Sequence, residues 1–308
     1  MKKRDFLSIA DHSSQDITAI LKLATQLKKK PSLHAGLLKG KSIALIFQKP
    51  SNRTRVSFET GIFQLGGNTI YLAPDDISLG KREPTADIAR TLSRYVGGIV
   101  ARVFAHGDLL ELSKYATVPV INALSDLSHP CQALADILTV QEKFGQLKGI
   151  KMAYIGDGNN MTNSLMLACA KVGMDMVVAV PKGHEPAMDY VKKAQACAQV
   201  TGAKIIVTHD PVKAADGANV LYTDTWVSMG QEEETAKRLK DFKGYQIDAK
   251  LAAKADKGHI FMHCLPAHRG QEVSADVIDG AHSVIFDEAE NRLHVQKAVM
   301  VFLYSSKK

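Results

Sequence analysis

The apolar run Ser42-Ile43-Ala44-Leu45-Ile46-Phe47 leads across Gln48-Lys49-Pro50 into Ser51-Asn52-Arg53-Thr54-Arg55, and this junction decides the fold class. A short, continuous apolar run is what a strand covered on both faces of a parallel sheet requires. The polar segment behind it opens a helix that is expected over 58–65 and ends at Gly66-Gly67. Working outward, the same order of strand, loop and helix recurs. Strands are expected at 68–72, 98–104 and 118–122, with helices at 85–94, 108–115 and 132–144. A second series starts with a strand at 151–155 and continues with strands at 176–180, 204–208, 220–223 and 260–263, and a last one at 284–286. Helices are expected at 162–172, 188–199 and 288–304. This alternation implies an α/β protein built from parallel sheets covered on both faces, in two units that meet near Gly145 and Gly149. In such sheets ligands sit beyond the carboxyl ends of the strands, so the loops that follow strands are where function is sought.

The chain has 308 residues, of which 45% are hydrophobic and 23% charged. That length suggests about two domains, and the composition excludes a disordered chain. No apolar run approaches the roughly 18 residues of a membrane span. Met1-Lys2-Lys3-Arg4-Asp5-Phe6 carries charge with no apolar stretch behind it, so no secretory signal is visible and a cytoplasmic location is expected. The net charge of +7 is spread along the chain among acidic residues. Such a field is equally suited to steering a small anion, and neither a nucleic-acid nor a membrane partner is expected. Cys131, Cys169, Cys197 and Cys264 form no C-x-x-C pair and read as free thiols.

Six constellations stand where chemistry is expected. Ser51-Asn52-Arg53-Thr54-Arg55 gathers two hydroxyls and two guanidiniums at a helix start, whose unpaired N–H groups already favour phosphate or carboxylate. In Ser128-His129-Pro130-Cys131-Gln132, Pro130 fits a first helical turn, and His129 and Gln132 share one face. Both could donate to a carbonyl oxygen gaining charge, although His129 taken alone reads more readily as a packing histidine than as a ligand group. Gly156-Asp157-Gly158-Asn159-Asn160 resembles the opening of a dinucleotide fingerprint, but Met161 stands where the third glycine belongs, so a polar ligand held by Asn160 fits better than NAD. Asp224-Thr225-Trp226-Val227-Ser228-Met229-Gly230 offers a carboxylate for an ammonium group, and the Glu232–Glu234 run behind it reads as a solvated helix start. His263-Cys264-Leu265-Pro266-Ala267-His268 puts a thiol at a strand end. A zinc site from His263, Cys264 and His268 is the alternative there, opposed by the lack of a further ligand to close it. Glu290-Asn291-Arg292 opens the last helix and says nothing by itself.

In this order the motifs resemble those of the aspartate/ornithine carbamoyltransferase family, over essentially the whole chain. Ser51-Asn52-Arg53-Thr54-Arg55 is similar to the family's Ser-x-Arg-Thr-Arg motif, and His129-Pro130-Cys131-Gln132 to its His-Pro-x-Gln motif. Asp224 to Gly230 and His263-Cys264-Leu265-Pro266 resemble motifs of the ornithine-using members. The resemblance implies two doubly wound parallel-sheet domains joined by interdomain helices: residues 1–144 for carbamoyl phosphate, 145–287 for ornithine, and a C-terminal helix, 288–308, packing back on the first domain. It implies transfer of the carbamoyl group of carbamoyl phosphate to the δ-amine of L-ornithine, giving citrulline and phosphate through a tetrahedral intermediate, with no cofactor and no metal.

Carried over residue by residue, it places Ser51, Asn52, Arg53, Thr54, Arg102, His129, Pro130, Cys131, Gln132, Cys264, Leu265 and Arg292 around carbamoyl phosphate. It places Asn160, Asp224, Ser228 and Met229 around ornithine, and gives Arg102, His129, Asp224 and Cys264 the catalytic roles. For Cys264, proton acceptor and simple hydrogen-bond partner both stay open. The family also implies a homotrimer or a multiple of trimers, in which Ser78 of the 76–80 loop stands where a neighbouring subunit reaches the phosphate. It further implies that carbamoyl phosphate binds first and that the Ser228-Met229-Gly230 loop moves in with ornithine. An NAD-dependent dehydrogenase, a family member using another amine, and a non-catalytic phosphate-binding protein are the competing readings.

Overall fold

The computed structural model describes residues 3–227 and 232–305. The chain divides into two compact units. One takes the chain up to Ala135 and again from Asn291; the other is Asp136–Glu290. The helices Pro130–Phe144 and Ile285–Tyr304 each give residues to both units. The division therefore falls inside two helices, whereas a boundary read from sequence follows the ends of periodic segments.

In the first unit β1 (Ser42–Phe47), β2 (Asn68–Leu72), β3 (Gly98–Arg102) and β4 (Val120–Leu124) form a parallel sheet in the order β2-β1-β3-β4. In the second, β5 (Lys151–Ile155), β6 (Asp175–Ala179), β7 (Ile205–Thr208), β8 (Val220–Thr223) and β9 (Ile260–His263) form another in the order β7-β6-β5-β8-β9. In each sheet the chain winds outward from one strand and then returns to that strand's other side. The reversal lies between β1 and β3 in one sheet and between β5 and β8 in the other. These are the two places where the loops leaving the carboxyl ends diverge and open a crevice. Register puts Phe47 beside Arg102 at the first, and Tyr154 beside Tyr222 at the second, one residue short of the strand ends.

Burial explains why these segments are strands. Every residue of β3, β8 and β9 is buried, as is all of β1 beyond Ser42. The expected strand at 284–286 is not formed. Ser283 makes an isolated bridge to Phe261, and Ile285 begins the helix Ile285–Tyr304. A three-residue apolar run does not distinguish a strand from a first helical turn. The helix Ser14–Lys29, not among the expected helices, buries Ile17, Ile20, Leu21, Ala24 and Leu27 at helical spacing and starts with a capping box between Ser13 and Asp16.

The helix Ile285–Tyr304 lies along the helix Asn52–Gln64 within the first unit. Gly61 makes the approach possible, because a Cβ there would meet Lys297 Cγ at 3.2 Å and Leu293 Cδ1 at 3.4 Å. Among the described residues no helix is long and apolar enough to cross a membrane.

Candidate active site

One group of candidate residues is built at the β1/β3 crevice of the first unit. Ser51 caps the helix Asn52–Gln64 in an extended conformation, and its Oγ accepts the Thr54 N–H at 3.3 Å. Ser51 Oγ in turn donates to Thr54 Oγ1 at 3.1 Å, and Arg292 Nη2 donates to the same oxygen at 2.8 Å. With its lone pairs so used, the buried Thr54 hydroxyl has its hydrogen to offer a ligand. Asn52 Oδ1 accepts the Arg53 N–H at 2.7 Å, an occupancy that a phosphate oxygen would displace.

The two guanidiniums of the motif part company. Arg53 stays with the helix start, whereas Arg55 pairs with Glu59 at 2.9 Å and lies 3.7 Å over the Tyr71 ring. Arg55 is thus structural, which corrects the expectation that both arginines serve the anion. Arg102 ends β3 and is buried.

His129 stands before the helix Pro130–Phe144, with its carbonyl accepting the Ala133 N–H at 3.2 Å. Asn122 Nδ2 fixes the approach by donating to Ser128 Oγ at 2.9 Å and to Leu7 O at 2.8 Å. Burial, then the guanidiniums of Arg292, Arg102 and Arg53, hold the His129 imidazole well below its usual range. The ring is therefore neutral near pH 7 and sits among three cations, the surroundings an anionic ligand would neutralise. Gln132 is buried beside it in the first turn. Cys131 is turned away: its Sγ donates to Asn122 O at 3.6 Å, and burial pushes the thiol up to about 12. What Pro130-Cys131 offers a ligand is a helix start with its first-turn amides, not the thiol.

A second group lies at the β5/β8 crevice of the other unit. Asn159 caps the helix Asn160–Val172, its Oδ1 accepting the Met161 N–H at 2.9 Å. Its Nδ2 donates to Asp224 Oδ2 at 2.8 Å, across the sheet reversal. The other Asp224 oxygen accepts the Thr225 N–H at 2.8 Å and the Cys264 thiol at 3.1 Å. Asp224 is buried, so this carboxylate is fully oriented before any amine arrives. Asn160 begins the helix next to it. Asn159 is the site residue that the sequence reading passes over; its signal is the ordinary one of an N-cap in front of an apolar helix.

Cys264 follows β9. Burial first, then the charges of Asp224 and Glu288, push its thiol well above the usual range, so it is a neutral donor to Asp224. Asp224, His263 and Cys264 hold ligand atoms within 4.8 Å of one another, as a metal site would. Nδ1 of His263 is nevertheless taken, accepting the Leu265 N–H at 2.9 Å, while Nε2 lies 3.3 Å from the buried Glu272 without a hydrogen bond. His268 also turns to Glu272, at 3.6 Å. A zinc ion held through His263 Nδ1 would have to displace the Leu265 N–H, and His268 would have to leave Glu272. Leu265 has a left-handed backbone (φ 59°), and with its N–H given to His263 its carbonyl is the backbone group it can present to a ligand.

The second glycine of Gly156-Asp157-Gly158 serves packing. A Cβ at Gly158 would lie 2.3 Å from Pro186 N and 2.4 Å from His184 O. Asp157 is raised by burial, against the pull of Arg238 and His184. Arg238 joins Asp157 at 3.1 Å, Glu234 at 3.0 Å and the Trp226 carbonyl at 2.9 Å, fastening the segment after Asp224 to the helix Thr235–Asp241. Glu232–Glu234 forms a 3-10 turn leading into that helix. Ser228 and Met229 lie outside the described residues.

Comparison with known proteins agrees with this division. Residues 4–142 match the carbamoyl-phosphate-binding domain, and residues 148–303 the aspartate/ornithine-binding domain, of one enzyme family. The chain belongs to the aspartate/ornithine carbamoyltransferase family. A family member from Carboxydothermus hydrogenoformans, an ornithine carbamoyltransferase, is 52% identical over 302 residues, covering 97% of each chain. The Pyrococcus furiosus relative, named as an anabolic ornithine carbamoyltransferase, is 52% identical over 97% of this chain and 96% of its own. The solved structure of a Pyrococcus furiosus ornithine carbamoyltransferase superposes with a TM-score of 0.96 at 51% identity, covering 99% of this chain and 98% of the other. The carbamoyl-phosphate-domain match carries Arg53, Arg102 and His129, and the second match carries Asp224 together with Arg292, a residue that the fold assigns to the first unit.

Proposed function

We propose that the chain is an ornithine carbamoyltransferase, with carbamoyl phosphate and L-ornithine as its substrates. The observation that carries this reading is a division of charge. The first unit gathers Arg53, Arg102 and Arg292 around a neutral His129. The second presents one carboxylate, Asp224, held by Asn159, Thr225 and Cys264. Cations in one and an anion in the other suit an acyl phosphate and an ammonium group. Relatives about 52% identical over nearly the whole chain carry the same activity in their names. One of them is named the anabolic form, which supports the citrulline-forming direction and a place in arginine biosynthesis.

In this reading Ser51, Asn52, Arg53 and Thr54 hold the phosphate at the helix start, with Arg292 reaching the same group. The δ-amine attacks the carbonyl carbon, forming an N–C bond. Arg102, the neutral His129, Gln132 and the Thr54 hydroxyl stabilise the oxyanion of the tetrahedral intermediate. The C–O bond to phosphate then breaks, and the amine's proton leaves with the phosphate. An alkyl amine is mostly protonated at neutral pH, so its free form has to be selected. Asp224 orients the amine, and Cys264 serves as hydrogen-bond donor to Asp224 in place of a proton acceptor. Asn160, Ser228, Met229 and the Leu265 carbonyl complete the ornithine side.

A homotrimer, or a multiple of trimers, is part of this proposal. Val56 and Phe63 on the helix Asn52–Gln64 are 58% and 78% exposed, and Ile70 on the edge strand β2 is 43% exposed. An apolar patch beside an open sheet edge calls for a covering partner. Ser78, left-handed at φ 42° after the short helix Pro74–Ile77, is the residue proposed to reach a neighbour's phosphate. Four free cysteines fit a reducing, cytoplasmic location.

The test is a citrulline assay on the purified protein with carbamoyl phosphate and ornithine, run beside aspartate and putrescine. Citrulline far above background, with little product from the other amines, is expected. Product from another amine alone would overturn the assignment of Asp224 to ornithine.

A further inference from the structure

Behind Cys264 lies a buried acidic group that the reaction above does not use. Asp136 on the helix Pro130–Phe144 and Glu288 on the helix Ile285–Tyr304 are both fully buried, and an oxygen of each carboxyl group meets the same Tyr222 hydroxyl. Two carboxyl groups brought this close out of water cannot both ionise, and they hold a proton between them. Tyr222 OH closes the group, 3.2 Å from Asp136 Oδ2 and 3.3 Å from Glu288 Oε1. The remaining Glu288 oxygen accepts the His263 N–H at 2.9 Å. That amide lies one residue before Cys264, whose thiol donates to Asp224.

We propose that Glu288, through the proton it shares with Asp136, is a positioning residue for the amine half of the site: it holds the end of β9 so that Cys264 stays aimed at Asp224. It rests on the reading of Asp224 and Cys264 as the groups that receive ornithine.

Several features support this. The burial of Glu288, and then its neighbour Asp136, push its carboxyl well above the usual range. The titratable groups facing the pair are Tyr222 from β8, Tyr154 stacked on Tyr222 from β5, Cys169 from the helix Asn160–Val172, and His263, Cys264 and Asp224 at the strand ends. The Glu288 charge is itself one of those that keep Cys264 a thiol. Loss of the shared proton would leave like charges in a dry interior, a cost the fold would relieve by letting the end of β9 move.

The test compares Glu288→Gln, Glu288→Ala and Asp136→Asn with the wild type. The Gln amide can accept from His263 and donate to Asp136, so Glu288→Gln reproduces the protonated pair and cannot lose its proton. Glu288→Ala is expected to raise KM for ornithine about tenfold or more, as a small misplacement of a site group does, with KM for carbamoyl phosphate nearly unchanged. Glu288→Gln is expected to restore the ornithine constant. A group bound more tightly to its proton in the folded than in the unfolded chain loses stability as pH rises above the ordinary carboxyl range. The Tm of Glu288→Gln should therefore gain on the wild type between about pH 5 and pH 8.

Equal change of both KM values in Glu288→Ala, a Gln variant as impaired as Ala, or a Tm difference independent of pH would each overturn the proposal. Should Glu288→Ala not fold, Asp136→Asn carries the same comparison, since its amide also fixes a hydrogen between the side chains. Asp224→Asn separates the two failures. If it leaves KM for ornithine unchanged, the site reading itself is wrong. If it raises that constant while the Glu288 variants do not, only the positioning role is wrong.

Discussion

Arg292 Nη2 donates to Thr54 Oγ1 at 2.8 Å, joining residues 238 positions apart in sequence. One further contact shows what this does. On the same helix, Lys297 Nζ donates to Gln64 Oε1 at 2.8 Å and to Pro31 O at 3.1 Å. The helix Ile285–Tyr304 thus grips the helix Asn52–Gln64 at both ends, with Gly61 between them. Arg292 meets the start of that helix, and the Lys297 ammonium meets its end, where a cation is favoured. The helix start proposed to hold phosphate is consequently set by a segment 238 positions further along the chain.

Arg292→Ala should expose this coupling. A hydrogen bond from a charged donor contributes about 1.5–3 kcal/mol, so KM for carbamoyl phosphate is expected to rise roughly tenfold to a hundredfold. The ornithine constant should move far less. Steady-state kinetics with each substrate varied in turn checks it, and equal change in both would argue against a phosphate-side role.

Arg102→Ala tests the oxyanion assignment. Loss of one such donor costs roughly a hundredfold to a thousandfold in kcat. Circular dichroism should show a folded protein, because two neighbouring arginines are relieved of a like charge. Near-normal turnover would remove Arg102 from the chemistry.

Asn159 combines a cap with a hold on Asp224, and two variants separate these. Asn159→Ala loses both and should cost about 1 kcal/mol of stability as well as ornithine affinity. Asn159→Ser keeps a capping oxygen but carries no amide to reach Asp224. It should retain most of the stability and still bind ornithine weakly. A Ser variant with wild-type KM for ornithine would show that Asp224 orients itself without this contact.

His129 supplies the pH dependence. Its folded imidazole titrates well below the ordinary range, so between that lowered value and the unfolded value of about 6.5 the unfolded chain binds the extra proton. Stability from this group is complete above the unfolded value and is lost as pH falls through that window. His129→Gln should lose less Tm than the wild type on acidification from about pH 7.5 to pH 5. An identical acid response in both proteins would show that His129 is not held neutral.

The thiols should divide in reactivity. Cys131, Cys169 and Cys264 are all pushed up, chiefly by burial, and thiols react as thiolates. Titration of the native protein with a disulfide reagent near pH 8 should give one fast thiol, the half-buried Cys197, with the buried Cys131 and Cys169 slow and Cys264, half-buried too, slow because Asp224 and Glu288 help keep it a thiol. Rapid loss of activity by alkylation at Cys264 would contradict its role as a neutral donor.

Most of the sheet framework is legible in sequence because buried parallel strands are short unbroken apolar runs. Ser42–Phe47, Lys151–Ile155, Val220–Thr223 and Ile260–His263 form where those runs stand. The triplet Val284-Ile285-Phe286 misleads because it is too short to show a period. The arginines illustrate the limit for the site. Arg53 and Arg55 are two residues apart in one motif, and only tertiary neighbours, Glu59 and Tyr71, decide that Arg55 is taken elsewhere. Asn159 and Asn160 are adjacent and chemically identical, yet the one that touches Asp224 is the cap, a choice fixed by where the helix begins. The pairing of Asp136 with Glu288 joins positions too far apart in sequence for any local pattern to reveal.

The central claim is that the carbamoyl carbon passes to the δ-nitrogen of ornithine. Carbon-13-labelled carbamoyl phosphate and ornithine labelled with nitrogen-15 at the δ position, incubated with the protein, test it in one nuclear magnetic resonance spectrum. A carbonyl resonance split by a directly bonded nitrogen-15, growing with time and with enzyme, is the expected result. Label that collects only in bicarbonate or cyanate, or in a ureido carbonyl without nitrogen-15 splitting, as attack by the unlabelled α-nitrogen would give, would contradict it.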